Sequence, residues 1–292
     1  MAPEGVDERQ DAIARLAEGW GRGPLAFDRW LVDPADAPVS LEELGRLLAK
    51  LPPENILLRR SAATPDSAME KWAGLPAGRR LEELLRDECV HVMVLDLERF
   101  HPGYQSLLAR FVDRVRPVLR ASGVTLRRSM IGLFLSSPRS LTYFHADSEH
   151  NFLFQISGTK EVHVFPNDDP VVFPWEDRES LFCARKHQIG YRKEFESKAT
   201  VVALSPGMSS YQPALCPHWV EAGPDVAVSI GFSLFTSAER RKHLLFQFNR
   251  RMRRLGVRPG AAGRSAFRDE VKIVAAGTLS GVARAVRLLK GR

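Results

Sequence analysis

The sequence contains few cysteines, and none is arranged to bind a structural metal or to build a disulfide framework. The three cysteines, Cys89, Cys183 and Cys216, are widely spaced, and none belongs to a C-x-x-C pair. A chain of 292 residues can bury a stable core without the cross-links on which small secreted proteins depend. The cysteine content therefore indicates a reducing compartment.

Targeting signals, long apolar runs and internal repeats are also lacking. The first ten residues, MAPEGVDERQ, are acidic and polar, whereas a secretory signal needs a basic segment followed by an apolar one. No apolar run approaches the roughly 20 residues that cross a bilayer. We therefore expect a cytoplasmic protein without a membrane span.

Basic residues exceed acidic ones, and the excess is concentrated near the C-terminus. The formal net charge is +7, while 44% apolar and 26% charged residues are ordinary for a globular protein. The basic cluster consists of Arg240, Arg241, Lys242, Arg250, Arg251, Arg253, Arg254 and Arg258. Such a cluster can attract nucleic acid, anionic lipid or an acidic partner, but a solvated helix face is its more frequent cause. We therefore disfavour nucleic acid as a partner.

Changes in hydrophobic pattern divide the chain into three parts. Residues 1–122 combine helical patterns with one strand, HVMVLDL, and Ser40 and Glu43 form a capping-box pattern before one of the helices. Residues 123–236 carry short apolar runs between turns rich in Gly, Pro, Asp and Ser, which is typical of a β-sandwich or barrel. Residues 237–292 are helical again. We expect a mostly β protein with flanking helices, and a long loop between Pro166 and Thr200.

The segment TYFHADSEHNFLFQISGTK is the part most informative about function. His145 and Asp147 lie two residues apart on a predicted strand, so their side chains point to the same face. His218 follows near the end of the β part. Two histidines and one carboxylate are the facial triad that holds iron(II) and leaves coordination positions open. A strand pair and a distant strand supply these ligands only if the sheet curls, as in a jelly roll.

Lys160 follows the His-x-Asp pair and begins the predicted strand KEVHVF. A lysine buried near a metal needs an anionic partner, and a dicarboxylate co-substrate provides one. Thr142 and Asn151 can add hydrogen bonds to the same acid. His-x-Asp alone is a frequent chance pattern, and His145 can equally be a hydrogen-bonded core histidine, so the metal interpretation depends on this context.

These motifs resemble the JmjC (cupin-like) family of iron(II)/2-oxoglutarate-dependent oxygenases, and within it the asparaginyl hydroxylase that inhibits hypoxia-inducible factor. The resemblance covers roughly residues 125–236 and follows the pattern T-x-x-H-x-D, N-F, Q-I-x-G-x-K and a strand ending in proline. The matching positions are Thr142, His145, Asp147, Asn151, Phe152, Gln155, Ile156, Gly158, Lys160, Pro166, Pro206, Gly207, Pro213 and His218. The resemblance implies a cupin-like double-stranded β-helix as the core.

The resemblance also implies roles for individual residues. His145, Asp147 and His218 would be the iron ligands. Lys160 would pair with the distal carboxylate of 2-oxoglutarate, and Thr142 would donate a hydrogen bond to it. The implied activity is oxygen activation with O2 and 2-oxoglutarate as co-substrates.

Three positions depart from the family pattern. Met208 follows the Pro-Gly turn where the family often has aspartate, and Pro217 precedes His218 where tryptophan is frequent. Gly231 stands at a strand position that carries asparagine in the asparaginyl hydroxylase. These departures concern the substrate and the co-substrate contacts rather than the metal ligands.

We therefore predict an iron(II)- and 2-oxoglutarate-dependent dioxygenase that hydroxylates a protein, peptide or small molecule. Lysine demethylation by the same core is disfavoured, because the chain has no reader modules. The alternative is a non-oxygenase metal-binding cupin that acts as a binding or regulatory module through its basic C-terminal helices. A zinc or nickel cupin without oxygen chemistry is a further possibility, because the ligand types alone do not exclude these metals.

The second C-terminal helix is predicted to carry an apolar stripe. Its members are Phe267, Val271, Val274, Val282, Val286 and Leu289. C-terminal helices form a homodimer in the hydroxylase that the chain resembles, and we expect the same here. Covering the barrel and binding an acidic surface are the other two functions that such helices can have.

Overall fold

The structure is a computed structural model that describes residues 5–29, 31–33, 40–71, 80–184 and 188–290, and within them the side chains of 10–29, 31–33, 40–71, 80–182 and 188–278. The helices are α1 (Gly5–Gly19), α2 (Leu41–Leu48), α3 (Leu81–Asp87), α4 (Pro102–Ala121), α5 (Trp175–Ala184), α6 (Ser237–Arg254) and α7 (Ala266–Lys290). The strands are β1 (Leu25–Phe27), β2 (Ile56–Arg60), β3 (Val90–Val94), β4 (Leu126–Ser136), β5 (His150–Ser157), β6 (Lys160–Val164), β7 (Thr200–Leu204), β8 (Ser209–Gln212), β9 (His218–Ala222) and β10 (Ala227–Thr236). Short 3-10 helices span Pro53–Asn55, Leu97–Arg99 and Lys193–Lys198.

The strands form two antiparallel sheets that enclose a cavity between them. The larger sheet has the order β1-β8-β5-β10-β4-β3-β2, and the smaller has the order β7-β6-β9. Strands that are distant in sequence are thus neighbours in each sheet, and residues of both sheets line the cavity. The predicted jelly-roll core, mostly β with flanking helices, is confirmed.

Helices cover the outer face of the larger sheet. The ring of Phe111 on α4 lies 4.9 Å from Phe152, 5.9 Å from Phe154 and 4.2 Å from Phe232, measured between ring centroids. Burying one such side chain contributes about 1.5–3 kcal/mol. The predicted capping box at the start of α2 is confirmed, with the Ser40 side chain accepting a hydrogen bond from the Glu43 backbone.

A second apolar cluster joins the C-terminal helices to the segment between β4 and β5. Phe182 of α5 packs against Phe246 of α6, and Phe144 and Trp219 belong to the same cluster. The segment from Pro166 to Thr200, expected to be a loop, in fact contains α5 and a 3-10 helix. Its apolar residues are not spaced to form one helical face, so the sequence pattern did not indicate the helix.

The segment around His145 is extended but is not the regular strand that we predicted. Isolated bridges pair Leu141 with Glu221 and His145 with His218. Three residues separate Leu141 from His145, whereas two separate His218 from Glu221. The segment therefore carries one extra residue, as in a β-bulge. The bulge interrupts the ladder at the point where the segment runs along β9.

Strands from the N-terminal part complete the larger sheet, since β3 pairs with β4 and β1 pairs with β8. The division of the chain at residues 122 and 236 stays a prediction. In the described part of the chain, no helix combines the length and the apolar character needed to cross a membrane.

Candidate metal and co-substrate site

His145, Asp147 and His218 lie together at the cavity between the two sheets. One ligand atom of each residue lies within 4.8 Å of those of the other two, and Nε2 of His218 is 3.8 Å from Oδ2 of Asp147. Protein atoms that share one divalent ion lie about 2.0–2.2 Å from it, and therefore about 3–4 Å from one another. The three side chains thus fit one metal ion with small adjustments, and their role as ligands stays a prediction.

Backbone hydrogen bonds bring the two histidines together from distant parts of the chain. The amide of His145 donates to the carbonyl of His218 over 2.9 Å, and the amide of His218 donates back over 2.7 Å. The ring centroids are 4.2 Å apart. This reciprocal pair sets the position of both side chains before any metal binds.

Both imidazole rings are held in the tautomer that suits a metal ligand. Nδ1 of His145 lies 2.7 Å from the carbonyl oxygen of Tyr143, and Nδ1 of His218 lies 3.0 Å from that of Cys216. A carbonyl can only accept, so each Nδ1 carries the hydrogen and donates it. Nε2 then presents its lone pair, which is the usual arrangement of metal-binding histidines.

Asn151 orients the carboxylate of Asp147. Its Nδ2 donates to Oδ2 of Asp147 over 2.7 Å, and its Oδ1 accepts from the hydroxyl of Ser233 over 2.7 Å. We predicted that Asn151 binds the co-substrate, and this remains a prediction. The contact with Asp147 is an additional role that the sequence did not indicate.

Lys160 lies in the same cavity, which has a volume of about 120 Å³. Its side chain is buried, and Nζ donates to the carbonyl of Phe134 over 3.2 Å. Burial lowers the pKa of Lys160 to about 7. In the described part of the chain no carboxylate forms an ion pair with it, so an anionic ligand entering the cavity would favour the charged amine.

Thr142 also lines the cavity. Its Oγ1 accepts a hydrogen bond from the amide of Val220 over 2.8 Å. The hydroxyl oxygen is thereby fixed beside β9. Its role as a co-substrate contact stays a prediction.

Several cavity residues come from distant strands and were not predicted from the sequence. His91 and Met93 on β3, and Phe134 and Ser136 on β4, all line the cavity. Strand β3 was predicted from the sequence, but only its pairing with β4 shows that the face carrying His91 and Met93 lines the cavity. The alternation of His91 and Met93 with valines was the one sequence signal that these two side chains share a face of the strand.

Gly231 is explained by the ring of Phe134. A Cβ atom at position 231 would lie 2.3 Å from that ring, closer than any real contact. The aromatic ring therefore occupies the space that a side chain at this strand position would fill. Glycine at this position therefore leaves room for the ring, which lines the cavity.

Comparisons with known proteins bear on the fold. No protein-family model and no curated protein sequence matches the chain. Among solved structures, the Escherichia coli ribosomal oxygenase YcfD in complex with cobalt and 2-oxoglutarate is 17% identical, with a TM-score of 0.50, over 86% of this chain and 59% of that one. Another structure of Escherichia coli YcfD, also 17% identical with a TM-score of 0.50, matches over 90% of this chain and 65% of that one.

The chain therefore spans about three fifths of the length of the solved structures that it matches. At this level of identity the likeness concerns the path of the backbone. The chain has the jelly-roll fold of these ribosomal oxygenases.

Proposed function

We propose that the protein is an iron(II)- and 2-oxoglutarate-dependent dioxygenase. The observation that carries the proposal is a buried lysine, Lys160, in the same cavity as three side chains that fit one metal ion. A structural or purely regulatory metal site has no use for a buried cation. A dicarboxylate that chelates the metal at one end needs a cation at the other.

Each residue has a defined part in this proposal. His145, Asp147 and His218 hold the iron, and Lys160 pairs with the remote carboxylate of 2-oxoglutarate while Thr142 hydrogen-bonds to it. When bound, iron and 2-oxoglutarate together supply oxygen activation, with O2 as the second co-substrate. The protein binds and orients these groups.

The surroundings of the cavity support chemistry that must be protected from water. Phe134, Leu153 and Val162 contribute apolar walls. Water excluded from such a site strengthens the attraction between Lys160 and a carboxylate. The same walls leave few orientations open to a small diacid.

The substrate is a protein, a peptide or a small molecule. The shared fold with ribosomal oxygenases makes a ribosomal component one candidate. Hydroxylation is the reaction that we propose, in a cytoplasmic protein.

The alternative function, a metal-binding cupin that acts through its basic helices, has weaker support. Part of the basic cluster is used inside the protein, since Arg253 of α6 pairs with Glu179 of α5 over 2.9 Å and Lys242 lies 3.7 Å from Glu239. Less of the cluster therefore remains for an acidic partner or for nucleic acid.

We also propose a homodimer formed through α7. Phe267, Val271 and Val274 are 78%, 54% and 65% exposed, which is unusual for large apolar side chains on one helix. The remaining stripe residues Val282, Val286 and Leu289 lie outside the described side chains. A second copy of the same helix is the partner that the resemblance implies.

The test of the proposed activity is the binding of 2-oxoglutarate to the iron(II)-loaded protein without oxygen. Chelation requires that binding depends on the metal, and that it is lost in Asp147→Ala. Asp113→Ala, an exposed aspartate on α4, is the matched control and should bind like the wild type. Metal-bound protein that does not bind 2-oxoglutarate would favour the alternative function.

A further inference from the structure

We propose that His91 is a further binding residue for the co-substrate, donating a hydrogen bond from Nε2 to the carboxylate that Lys160 pairs with. The inference rests on the proposed function and extends it to a residue from β3, outside the segment that resembles the oxygenase family. It makes His91 a determinant of specificity for diacids over monoacids.

The first observation is a buried polar atom without a partner. His91 is 5% exposed, and in the described part of the chain its Nε2 forms no hydrogen bond. Buried nitrogen atoms in folded proteins nearly always have a hydrogen-bond partner. The imidazole lines the same cavity as Lys160, so a ligand in that cavity is the partner that can satisfy it.

The second observation is a neighbour that can set the tautomer. Nδ1 of His91 lies 3.1 Å from Oγ of Ser136 on β4. When the serine hydroxyl donates to Nδ1, the ring hydrogen resides on Nε2, which is then a donor directed at the ligand. A carboxylate in the cavity stabilises this tautomer, because in the other tautomer the lone pair of Nε2 would face the negative charge of the carboxylate.

The charge balance of the cavity agrees with this arrangement. Burial, followed by the charge of Lys160, lowers the pKa of His91 to about 3, although the backbone carbonyl of Leu141 acts in the opposite direction. The ring is therefore neutral near pH 7. One cation and one neutral donor then face one carboxylate, which leaves no uncompensated charge in the buried site.

The competing explanation is that His91 only fills space on the inner face of β3. Two ligands separate the explanations. The first is 2-oxoglutarate, and the second is 2-oxopentanoate, which has the same chain length and the same metal-chelating end but no remote carboxylate. Loss of a hydrogen bond to the remote carboxylate lowers the affinity for 2-oxoglutarate alone, whereas a change in packing lowers the affinity for both acids.

The experiment is calorimetric titration of the manganese(II)-loaded protein with each acid. His91→Leu should lower the affinity for 2-oxoglutarate about tenfold or more, because a hydrogen bond to a charged group is lost. Its affinity for 2-oxopentanoate should stay within about twofold of the wild-type value. His91→Gln, which retains a donor, should recover most of the affinity. Asp113→Ala, at an exposed position on α4 outside the cavity, is the control and should change neither affinity.

The outcomes distinguish this inference from the proposed function. If the wild type binds 2-oxoglutarate and His91→Leu binds it equally well, or weakens both acids alike, the role of His91 is refuted and the proposed function stands. If the wild type binds neither acid with manganese present, the proposed function fails and His91 has no carboxylate to bind.

Two variants keep the test decisive if His91→Leu does not fold. Ser136→Ala removes the hydroxyl that favours the donor tautomer, and His91→Gln keeps a polar side chain at the site. We expect Ser136→Ala to lower the affinity for 2-oxoglutarate about two- to tenfold without changing the affinity for 2-oxopentanoate. Equal losses of affinity for both acids in Ser136→Ala, together with equal losses for both acids in His91→Gln, overturn it.

Discussion

Lys160 is the residue whose surroundings most restrict what the cavity can bind. Its amine is buried, its hydrogen-bond acceptor is the neutral carbonyl of Phe134, and burial lowers its pKa to about 7. A protonated amine in such a place costs free energy until an anion joins it. The local order His145, Asp147, Lys160 in one stretch of sequence is what made this residue predictable.

The lowered pKa of Lys160 predicts how co-substrate binding depends on pH. A carboxylate binds the protonated amine, so affinity for 2-oxoglutarate should be greatest below pH 7 and fall above it, by up to about tenfold per pH unit. Calorimetry on the manganese-loaded protein from pH 6 to pH 9 measures this. Lys160→Met should bind weakly at every pH, and a wild-type affinity that is constant across this range would contradict the assignment.

The same pKa has a consequence for folding. The folded-state pKa of about 7 lies below the ordinary lysine pKa of 10.5, so between these values the unfolded chain holds more protons than the folded one. The contribution of Lys160 therefore disfavours the ligand-free fold below about pH 7, and this penalty decreases as the pH rises from 7 to 10.5.

Asn151 offers a prediction that separates two roles. Its amide orients Asp147 through a 2.7 Å hydrogen bond, so Asn151→Ala should weaken manganese binding about 10–100-fold, as expected for groups that position a metal ligand. Metal titration followed by calorimetry measures this. Ser148→Ala, a neighbour that bonds to Glu149 instead, is the control.

The opposite result for Asn151 is equally informative. Unchanged metal affinity with weakened 2-oxoglutarate binding would show that the side chain serves the co-substrate, as the sequence analysis predicted, and that its contact with Asp147 has little energetic weight. The sequence could not show the hydrogen bond from Ser233 to Asn151, because the partners lie on strands far apart in the chain.

At the scale of elements, helices and strands with a regular hydrophobic period were predictable from the sequence, whereas short or bulged strands were not. The amphipathic spacing of α4 and the capping box of α2 follow from local sequence. Strands β8 and β9 are short, with four and five residues, and gave no such signal. The segment carrying His145 pairs with β9 through a bulge, which tertiary hydrogen bonds create and periodicity does not reveal.

Helix α7 carries the prediction about assembly. A homodimer should have about twice the monomer mass of 32.7 kDa when measured by light scattering. Val271→Asp combined with Val274→Asp should return it to a monomer, because charges at a buried apolar interface are costly. Arg264→Asp, in the turn before the helix, should leave the dimer intact, and a wild-type mass of 32.7 kDa would contradict the proposal.

At the scale of the whole molecule, the two sheets and their helical cover bring three side chains that fit one metal ion, and the buried amine of Lys160, into one cavity. The succession of short strands and the spacing of the triad predicted this architecture from residues 123–236. The contribution of β3 could not be predicted, because it depends on how the N-terminal strands extend the larger sheet. His91 therefore became visible only in the folded protein.

The most direct measurement is an anaerobic titration of the iron(II)-loaded protein with 2-oxoglutarate, followed by visible absorption. Chelation of iron(II) by the 2-oxo acid produces a metal-to-ligand charge-transfer band. We expect a band that saturates at one equivalent of 2-oxoglutarate per iron and is absent in Asp147→Ala. Iron bound at one equivalent without such a band would contradict the oxygenase assignment and support a metal-binding cupin.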